Sequence, residues 1–196
     1  MNIGIDIDGV ITNLDFLSVL GTKEPILDRE KKATVNTPVA RKILFHCIKL
    51  YSKHGVIRTN ASKYINALKN NGHKIFIITK RRFTDENSAE GEKIRTLVKL
   101  FLLDRDIPYD EIIFCNGDKL PTIKEKNIDI MIEDSPKNSK SIAESAKVII
   151  FHTPYNTNVE HPQITRLFSW EEIYNYIESL SKQKGKVYEN NQAKRS

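Results

Sequence analysis

The chain has 196 residues, of which 39% are hydrophobic and 29% are charged, and it contains 8 glycines and 7 prolines. This composition excludes collagen-like, low-complexity and wholly disordered proteins, and the length suits a core domain with an inserted lobe. No apolar run reaches the roughly 20 residues that cross a bilayer. The first residues carry acids where a signal peptide would be basic and then apolar. We therefore expect neither export nor a membrane partner.

The net charge of +6 invites a nucleic-acid-binding interpretation, but much of it is concentrated at one end. Residues 182–196 hold five bases and one acid, a net charge of +4, so that the rest of the chain carries +2. We expect this segment to be a basic, disordered tail without a nucleic-acid partner. Cys47 and Cys115 lie in apolar segments, which is typical of a chain without disulfides in a reducing cytoplasm.

Five short apolar runs alternate with helical segments along the chain. The predicted strands are residues 3–7, 74–79, 112–115, 128–132 and 148–151. An apolar stripe over residues 94–102 predicts one helix, and Ser135-Pro136 and Ser169 with Glu172 mark the starts of two others. The alternation predicts an α/β fold, a Rossmann-like three-layer sandwich in which helices cover both faces of a parallel sheet.

The connection after the first strand is too long for a simple alternating chain. About 46 residues separate that strand from the helix that begins near Asn60, whereas structureless loops rarely exceed about 15. Thr37-Pro38 opens a helix in this segment, with an apolar face. We predict a small helical cap over residues 13–58, inserted into a core domain of residues 1–12 and 59–181. The cap is expected to cover the carboxyl ends of the strands, where open α/β sheets bind ligands.

The first strand leads into two acidic residues, Asp6 and Asp8, followed by Gly9. Residues two apart on an extended chain point to the same side, with Cα atoms about 6.6 Å apart. The crowded carboxylates raise the pKa of at least one of them unless a cation lies between them. An Asp-Gly turn with solvated acids would explain Asp8 and Gly9 but not Asp6, which lies inside the strand.

A second acidic pair, Glu133 and Asp134, closes the fourth predicted strand. Because parallel strands end at the same edge of a sheet, this pair is expected to face Asp6 and Asp8. Converging carboxylates with few histidines favour Mg²⁺, which keeps coordination positions for water and a phosphate. Glu133 alone is equally consistent with an acid that interacts with a helix dipole.

The second predicted strand ends in Thr79, which is followed by a run of three bases beginning with Lys80. A hydroxyl and basic side chains at a strand end suit phosphate oxygens. The bases are also consistent with a solvated surface.

Together these segments resemble the motifs of the haloacid dehalogenase superfamily of phosphohydrolases. IGIDIDGV matches the strand that leads to Asp-x-Asp-Gly, IFIIT the strand that ends in threonine or serine, and IDIMIED the acidic pair after a strand. The family's lysine best matches Lys119, with Lys124 and Lys126 as nearby alternatives. The motifs run in order across about residues 2 to 170. The early cap, DGV and IDIMIEDSPKN are most similar to the 5′-nucleotidase and 5′(3′)-deoxyribonucleotidase branch, whose usual acidic pair is Asp-Asp.

The resemblance implies a mechanism in which Asp6 attacks phosphorus and forms an aspartyl-phosphate. Asp8 would protonate the leaving oxygen and later accept a proton from the attacking water. Mg²⁺ would be held by the carboxylates of Asp6 and Asp134 and by the main-chain carbonyl of Asp8. Glu133 would contact these ligands without binding the metal itself.

The resemblance also implies where a small phosphorylated metabolite would bind. Its phosphoryl oxygens would be held by Thr79, Lys80 and Lys119. For the branch, the substrate would be a nucleoside or deoxynucleoside monophosphate. The cap side chains that could recognise it are Phe16, Arg41 and Phe45, with Lys42, His46 and Tyr51 nearby. The aromatic side chains are also consistent with packing inside the cap.

Two other functions stay open at this point. One is a phosphatase for a phosphosugar or another small metabolite. The other is a non-catalytic binding module that uses the basic tail on RNA or protein, although Asp8 argues against it because binding needs no acid. The sequence leaves a homodimer open.

Overall fold

A computed structural model of the chain describes residues 1–13 and 38–193. Within these residues the strands are β1 (Asn2–Ile5), β2 (Lys74–Thr79), β3 (Glu111–Phe114), β4 (Ile130–Glu133), β5 (Lys147–Phe151) and β6 (Ile164–Leu167). The helices are α1 (Pro38–His54), α2 (Ala61–Asn70), α3 (Ala89–Leu103), α4 (Leu120–Glu125), α5 (Pro136–Ile142) and α6 (Trp170–Ala193).

The six strands form one sheet in the order β3-β2-β1-β4-β5-β6, and all neighbouring pairs are parallel. The predicted three-layer α/β fold is confirmed. β1 lies between β2 and β4, where the strand order reverses, and such a switch point is where open α/β sheets bind ligands. The three strands that end in the predicted site residues are therefore neighbours.

β1 is buried on both faces, as expected for a central strand of a covered sheet. Ile3 and Ile5 have no exposed surface, and neither has Ile7 just beyond the strand. Gly4 lies where β1 meets β4, because an added Cβ would be 2.6 Å from the sulfur of Met131. A larger residue at position 4 would therefore press against the Met131 side chain of the neighbouring strand.

β6 is a strand that the sequence analysis missed. Its sequence, ITRL, is short and mixed, and all four residues are only partly buried because the strand lies at the edge of the sheet. Its sequence lacks the continuous apolar run that identified the other five strands, one of which, β3, lies at the opposite edge of the sheet.

α1 is the helix that the sequence predicts within the cap, and it begins at Pro38 as expected. It packs along α3. The division into a cap over 13–58 and a core stays a prediction, and Phe16 lies outside the described residues.

α6 begins where Ser169 and Glu172 predict a helix start, because the Ser169 hydroxyl accepts a hydrogen bond from the Glu172 amide (3.2 Å). The helix continues to Ala193, so the backbone of residues 182–193 is helical, whereas the sequence analysis expects a disordered tail there. The lysines and glutamines of this segment are good helix formers, which explains how the helix extends beyond its apolar stripe. Among the described helices, none is long and apolar enough to cross a membrane.

Candidate active site

The carboxyl ends of β1 and β4 bring together a buried group of acids. One ligand atom from each of Asp6, Glu133 and Asp134 lies within 4.8 Å of the other two. Asp6 extends the pairing of β1 by donating its amide to the Ile132 carbonyl (3.0 Å). The sequence expectation that the two acidic motifs face each other agrees with this geometry.

Gly9 allows the turn after β1 to approach β4. Its φ of +82° lies in the left-handed region that favours glycine. A Cβ at this position would lie 1.9 Å from Asp134 Oδ2. Gly9 is therefore needed both for the turn and for the position of the Asp134 carboxylate.

Lys119 lies just before α4 and is fully buried. Its Nζ lies 2.9 Å from Asp6 Oδ2 and 2.7 Å from Glu133 Oε2. Burial lowers the pKa of Lys119, but the two carboxylates more than offset this, so its pKa is raised and the side chain is charged. Of the alternatives, Lys126 pairs with Glu111 near the surface and Lys124 is exposed. Lys119 is therefore the lysine of this site.

Glu133 is occupied by protein partners. Besides contacting Lys119, its carboxylate accepts hydrogen bonds from the amides of Asp134 (3.3 Å) and Ser135 (3.1 Å). These bonds hold it between the lysine and the start of α5. The supporting role of Glu133 stays a prediction, since amides at the start of α5 also fit the helix-dipole alternative.

The charges at this edge of the sheet do not balance. Burial raises the pKa of Asp6 to about 7, with Glu133 adding to the effect and Lys119 opposing it. The four carboxylates of Asp6, Asp8, Glu133 and Asp134 face two cations, Lys119 and Arg81. The group as a whole carries a net charge of minus two when all are ionised, which matches a divalent cation.

Asp8 is paired with a residue that the sequence analysis did not assign to the site. Arg81, two residues beyond β2, donates from Nε to Asp8 Oδ2 (3.2 Å) and from its terminal nitrogen to Oδ1. Both side chains are buried. Lys80, which was expected to bind phosphate, is exposed. The loop after β2 therefore brings a different base from the expected one to the carboxylates.

Thr79 ends β2 and is fully buried. Its hydroxyl has no hydrogen-bond partner among residues 1–13 and 38–193. Leaving a buried hydroxyl unpaired costs about 1–3 kcal/mol, so this group is available for an oxygen of a bound molecule.

The loop after β5 supplies a second set of contacts that the sequence analysis missed. The Tyr155 hydroxyl donates to Asp134 Oδ2, and Asn156 Nδ2 donates to the Asp134 carbonyl (2.9 Å). Arg166 on β6 in turn donates to Asn156 Oδ1 (2.7 Å). These residues hold both the main chain and the carboxylate of Asp134. The sequence PYN after a strand end was the available signal.

The cap residues expected to recognise a substrate have partners inside the protein. Arg41 on α1 donates to Glu86 (2.7 Å), which lies just before α3, and to Glu90 (2.6 Å) in the first turn of α3. Phe45 packs edge-on against Phe83, with ring centroids 5.4 Å apart. The contact with Phe83 favours the packing interpretation of Phe45, and the two glutamates occupy the guanidinium of Arg41.

The chain is similar to known phosphohydrolases. The model of the family described as "5′ nucleotidase, deoxy (Pyrimidine), cytosolic type C protein" matches residues 1–184. A protein of Clostridium acetobutylicum named as a nucleotidase is 27% identical over 192 residues, which cover 92% of this chain and 95% of the relative.

Two solved structures share the fold at lower identity. One is a haloacid dehalogenase-like hydrolase from Xanthomonas campestris, 13% identical with a TM-score of 0.56, covering 95% of this chain and 98% of that one. The other is a D,D-heptose 1,7-bisphosphate phosphatase from B. bronchiseptica complexed with magnesium and phosphate, 11% identical with a TM-score of 0.56, covering 91% of this chain and 99% of that one. The family match spans nearly the whole chain, and its motifs lie at the site. The chain therefore belongs to this nucleotidase family of the haloacid dehalogenase superfamily, and it is a phosphoric monoester hydrolase.

Proposed function

We propose that the protein is a Mg²⁺-dependent phosphatase that hydrolyses a nucleoside or deoxynucleoside monophosphate through an aspartyl-phosphate on Asp6. The observation that carries this proposal is the buried convergence of Asp6, Lys119 and Asp134 at the strand ends. The reaction class follows from the family, and the nucleotide substrate and the intermediate are what the resemblance implies, whereas the metal is also supported by the carboxylates of this chain.

The donor set fits Mg²⁺. Asp6 and Asp134 offer hard carboxylate oxygens, and Mg²⁺ usually takes one or two carboxylates and leaves positions for water and phosphate. The main-chain carbonyl of Asp8 would complete the protein ligands. The imbalance of two negative charges supports the same ion. When bound, Mg²⁺ would neutralise charge on the phosphate so that a carboxylate can approach it.

Asp6 would act as the nucleophile. One of its carboxylate oxygens would form a bond to phosphorus while the ester P–O bond breaks, and the electron pair would leave with the ester oxygen. Lys119, 2.9 Å from Asp6 Oδ2, would favour the ionised carboxylate needed for this attack. The unpaired hydroxyl of Thr79 would donate to a phosphoryl oxygen.

Asp8 would move the protons of both steps. It would donate a proton to the departing alcohol oxygen, and would then accept one from the water that attacks the aspartyl-phosphate. The second step would release inorganic phosphate and restore the Asp6 carboxylate. A purely binding role would need neither a buried acid nor its buried partner, and this argues against the binding module.

A phosphate-release assay tests the proposal. Purified protein with Mg²⁺ is given nucleoside 5′-monophosphates, deoxynucleoside 5′- and 3′-monophosphates and sugar monophosphates, and kcat/KM is compared. Asp6→Asn serves as the inactive variant and Asp85→Asn, which changes an exposed aspartate, as its matched control. We expect the nucleotides to have the highest kcat/KM. A preference for sugar phosphates would overturn the substrate class, and turnover by Asp6→Asn would overturn the mechanism.

A further inference from the structure

Arg81 stands apart from the other bases of its loop. Lys80 and Arg82 are exposed, whereas the Arg81 side chain is 2% exposed. A buried guanidinium is costly unless its hydrogen bonds are satisfied. The contacts of Arg81 therefore indicate what this side chain is held for.

The guanidinium donates hydrogen bonds both to Asp8, in the loop after β1, and to helix α1. Nε and one terminal nitrogen donate to the two oxygens of Asp8, and the other terminal nitrogen donates to the Ser52 hydroxyl (3.1 Å). A bidentate ion pair of this kind fixes the plane of the carboxylate as well as its distance from the guanidinium. Arg81 thus sets the orientation of Asp8.

Two residues of the last turn of α1 hold this pair in place. Ser52 is fully buried. The neighbouring Tyr51 ring lies under the Arg81 guanidinium, 4.8 Å from its centre, and its hydroxyl lies 2.7 Å from the Thr12 hydroxyl. Burial raises the pKa of Tyr51, and the charge of nearby Asp8 adds to the effect, so the hydroxyl stays protonated and able to donate.

The position of α1 is therefore linked to the direction in which Asp8 points. An acid accelerates departure of the alcohol only when it is aimed at the leaving oxygen, since proton transfer needs a hydrogen-bond distance. Displacement of α1 would remove Ser52 and Tyr51 from the guanidinium and leave the orientation of Asp8 less well fixed.

Resting on the proposed role of Asp8, we propose that Arg81 is a positioning residue that aims Asp8 at the leaving oxygen and makes this aim depend on Ser52 and Tyr51 of helix α1. Arg81 itself does not transfer a proton. Its effect is confined to substrates whose departing oxygen must be protonated.

The test is the dependence of kcat/KM on the leaving group. Substituted phenyl phosphates and an alkyl phosphate are assayed with Mg²⁺ for the wild type, Asp8→Asn, Arg81→Lys, Ser52→Ala and Arg82→Lys. Arg81→Lys keeps the charge but cannot hold both oxygens of Asp8 and Ser52 together. Arg82→Lys makes the same change at the exposed neighbouring position.

We expect Arg81→Lys to lower kcat/KM by about tenfold or more for the alkyl phosphate and by less than about threefold for p-nitrophenyl phosphate. The larger loss is a part of the about 10²–10⁴-fold that general acid catalysis typically contributes. Ser52→Ala should lower kcat/KM for the two substrates in the same order, but by smaller factors. Arg82→Lys should have the kcat/KM values of the wild type. Equal losses of Arg81→Lys across leaving groups would overturn the inference.

The Asp8→Asn variant distinguishes failure of the inference about Arg81 from failure of the proposed acid role of Asp8. If Asp8→Asn shows leaving-group-dependent loss and Arg81→Lys does not, the inference alone fails. If Asp8→Asn loses equally on all substrates, the proposed acid role fails and the inference fails with it. Thermal melts establish that each variant is folded. Should Arg81→Lys not fold, Ser52→Ala and Tyr51→Phe decide the question by the same ratio, and an unchanged ratio in both overturns it.

Discussion

At the amino-end edge of the sheet, Asp110 precedes β3 and is about one-third exposed, with one oxygen 2.5 Å from Lys69 Nζ and the other accepting the Ile75 amide (2.7 Å). At the carboxyl-end edge, Asp6 follows β1, is nearly fully buried and shares Lys119 with Glu133. Burial acts to raise the pKa of both aspartates, but the partners of Asp110 lower its pKa overall, whereas the pKa of Asp6 is raised to about 7.

An aspartate at one edge of the sheet therefore has all its partners within the protein, whereas Asp6 at the other edge lies in the site for which we propose catalysis. Asp110 has its own cation and its own amide, so it ties β2 to β3 and needs nothing further. Asp6 lies in a group whose negative charge exceeds its positive charge. In the proposed function, a bound cation would offset this excess of negative charge.

Removing divalent metal should have the largest effect and should act only on the carboxyl-end edge. We expect treatment with EDTA to abolish phosphate release and added Mg²⁺ to restore it. Mg²⁺ should also raise the melting temperature of the wild type, because it binds the folded state, but much less that of Asp6→Asn. Full activity after exhaustive chelation would contradict the metal assignment.

Replacing the two lysines compares the edges directly. Lys119→Met leaves the buried Asp6 and Glu133 without their cation and should destabilise the fold by about 3–5 kcal/mol, with loss of activity. Lys69→Met breaks a partly exposed pair and should cost at most about 1 kcal/mol, with activity retained. Urea unfolding of both variants measures the difference. Similar losses of stability would show that the two edges do not differ as described.

Tyr155→Phe should sharpen the comparison by weakening the metal site without disturbing its ligands. The variant removes the hydroxyl that donates to Asp134. Loss of such a supporting hydrogen bond typically lowers metal affinity by about 10–100-fold. Calorimetric titration of metal-free protein with Mg²⁺ measures this, and Tyr109→Phe, which changes a tyrosine outside the site, is the control. Unchanged affinity would mean that Tyr155 does not support the ligand.

Removing the basic tail should have the smallest effect. Residues 182–196 belong to none of the chemical motifs, so we expect a chain ending at Ser181 to fold and turn over substrate normally. Circular dichroism and the phosphate-release assay check both. Loss of activity with intact folding would show that the tail reaches the site. Loss of a salt-sensitive RNA interaction would support the binding module.

The residues at strand ends were predictable from the sequence because parallel strands share an edge. Asp6 and Asp134 follow apolar strands, so the sheet alone places them together. Arg81 and Tyr155 were missed because each lies in a loop, and a loop's path depends on tertiary contacts rather than on periodicity. Arg41 was assigned to the substrate because its partners, Glu86 and Glu90, are distant in sequence.

Glu133, which departs from the usual Asp-Asp pair of the branch, is another residue whose contacts could not be predicted from the sequence. Glu133 replaces the usual aspartate, and the sequence leaves open whether it binds metal. The structure shows its carboxylate held by Lys119 and two backbone amides. The two amides belong to the residues that follow Glu133 directly, whereas Lys119 is more distant in sequence and reaches the carboxylate only through the fold. The pairing of β6 at the edge of the sheet likewise required the fold.

The central claim is that Asp6 becomes phosphorylated, and mass spectrometry of the trapped enzyme tests it most directly. Wild-type protein is mixed with Mg²⁺ and p-nitrophenyl phosphate, quenched in acid within milliseconds, and reduced with borohydride, which converts an aspartyl-phosphate to homoserine. We expect homoserine at position 6 in the wild type and at no position in Asp6→Asn. Modification at another aspartate, or rapid turnover with no trapped residue under conditions where a known aspartyl-phosphate enzyme is trapped, would contradict it.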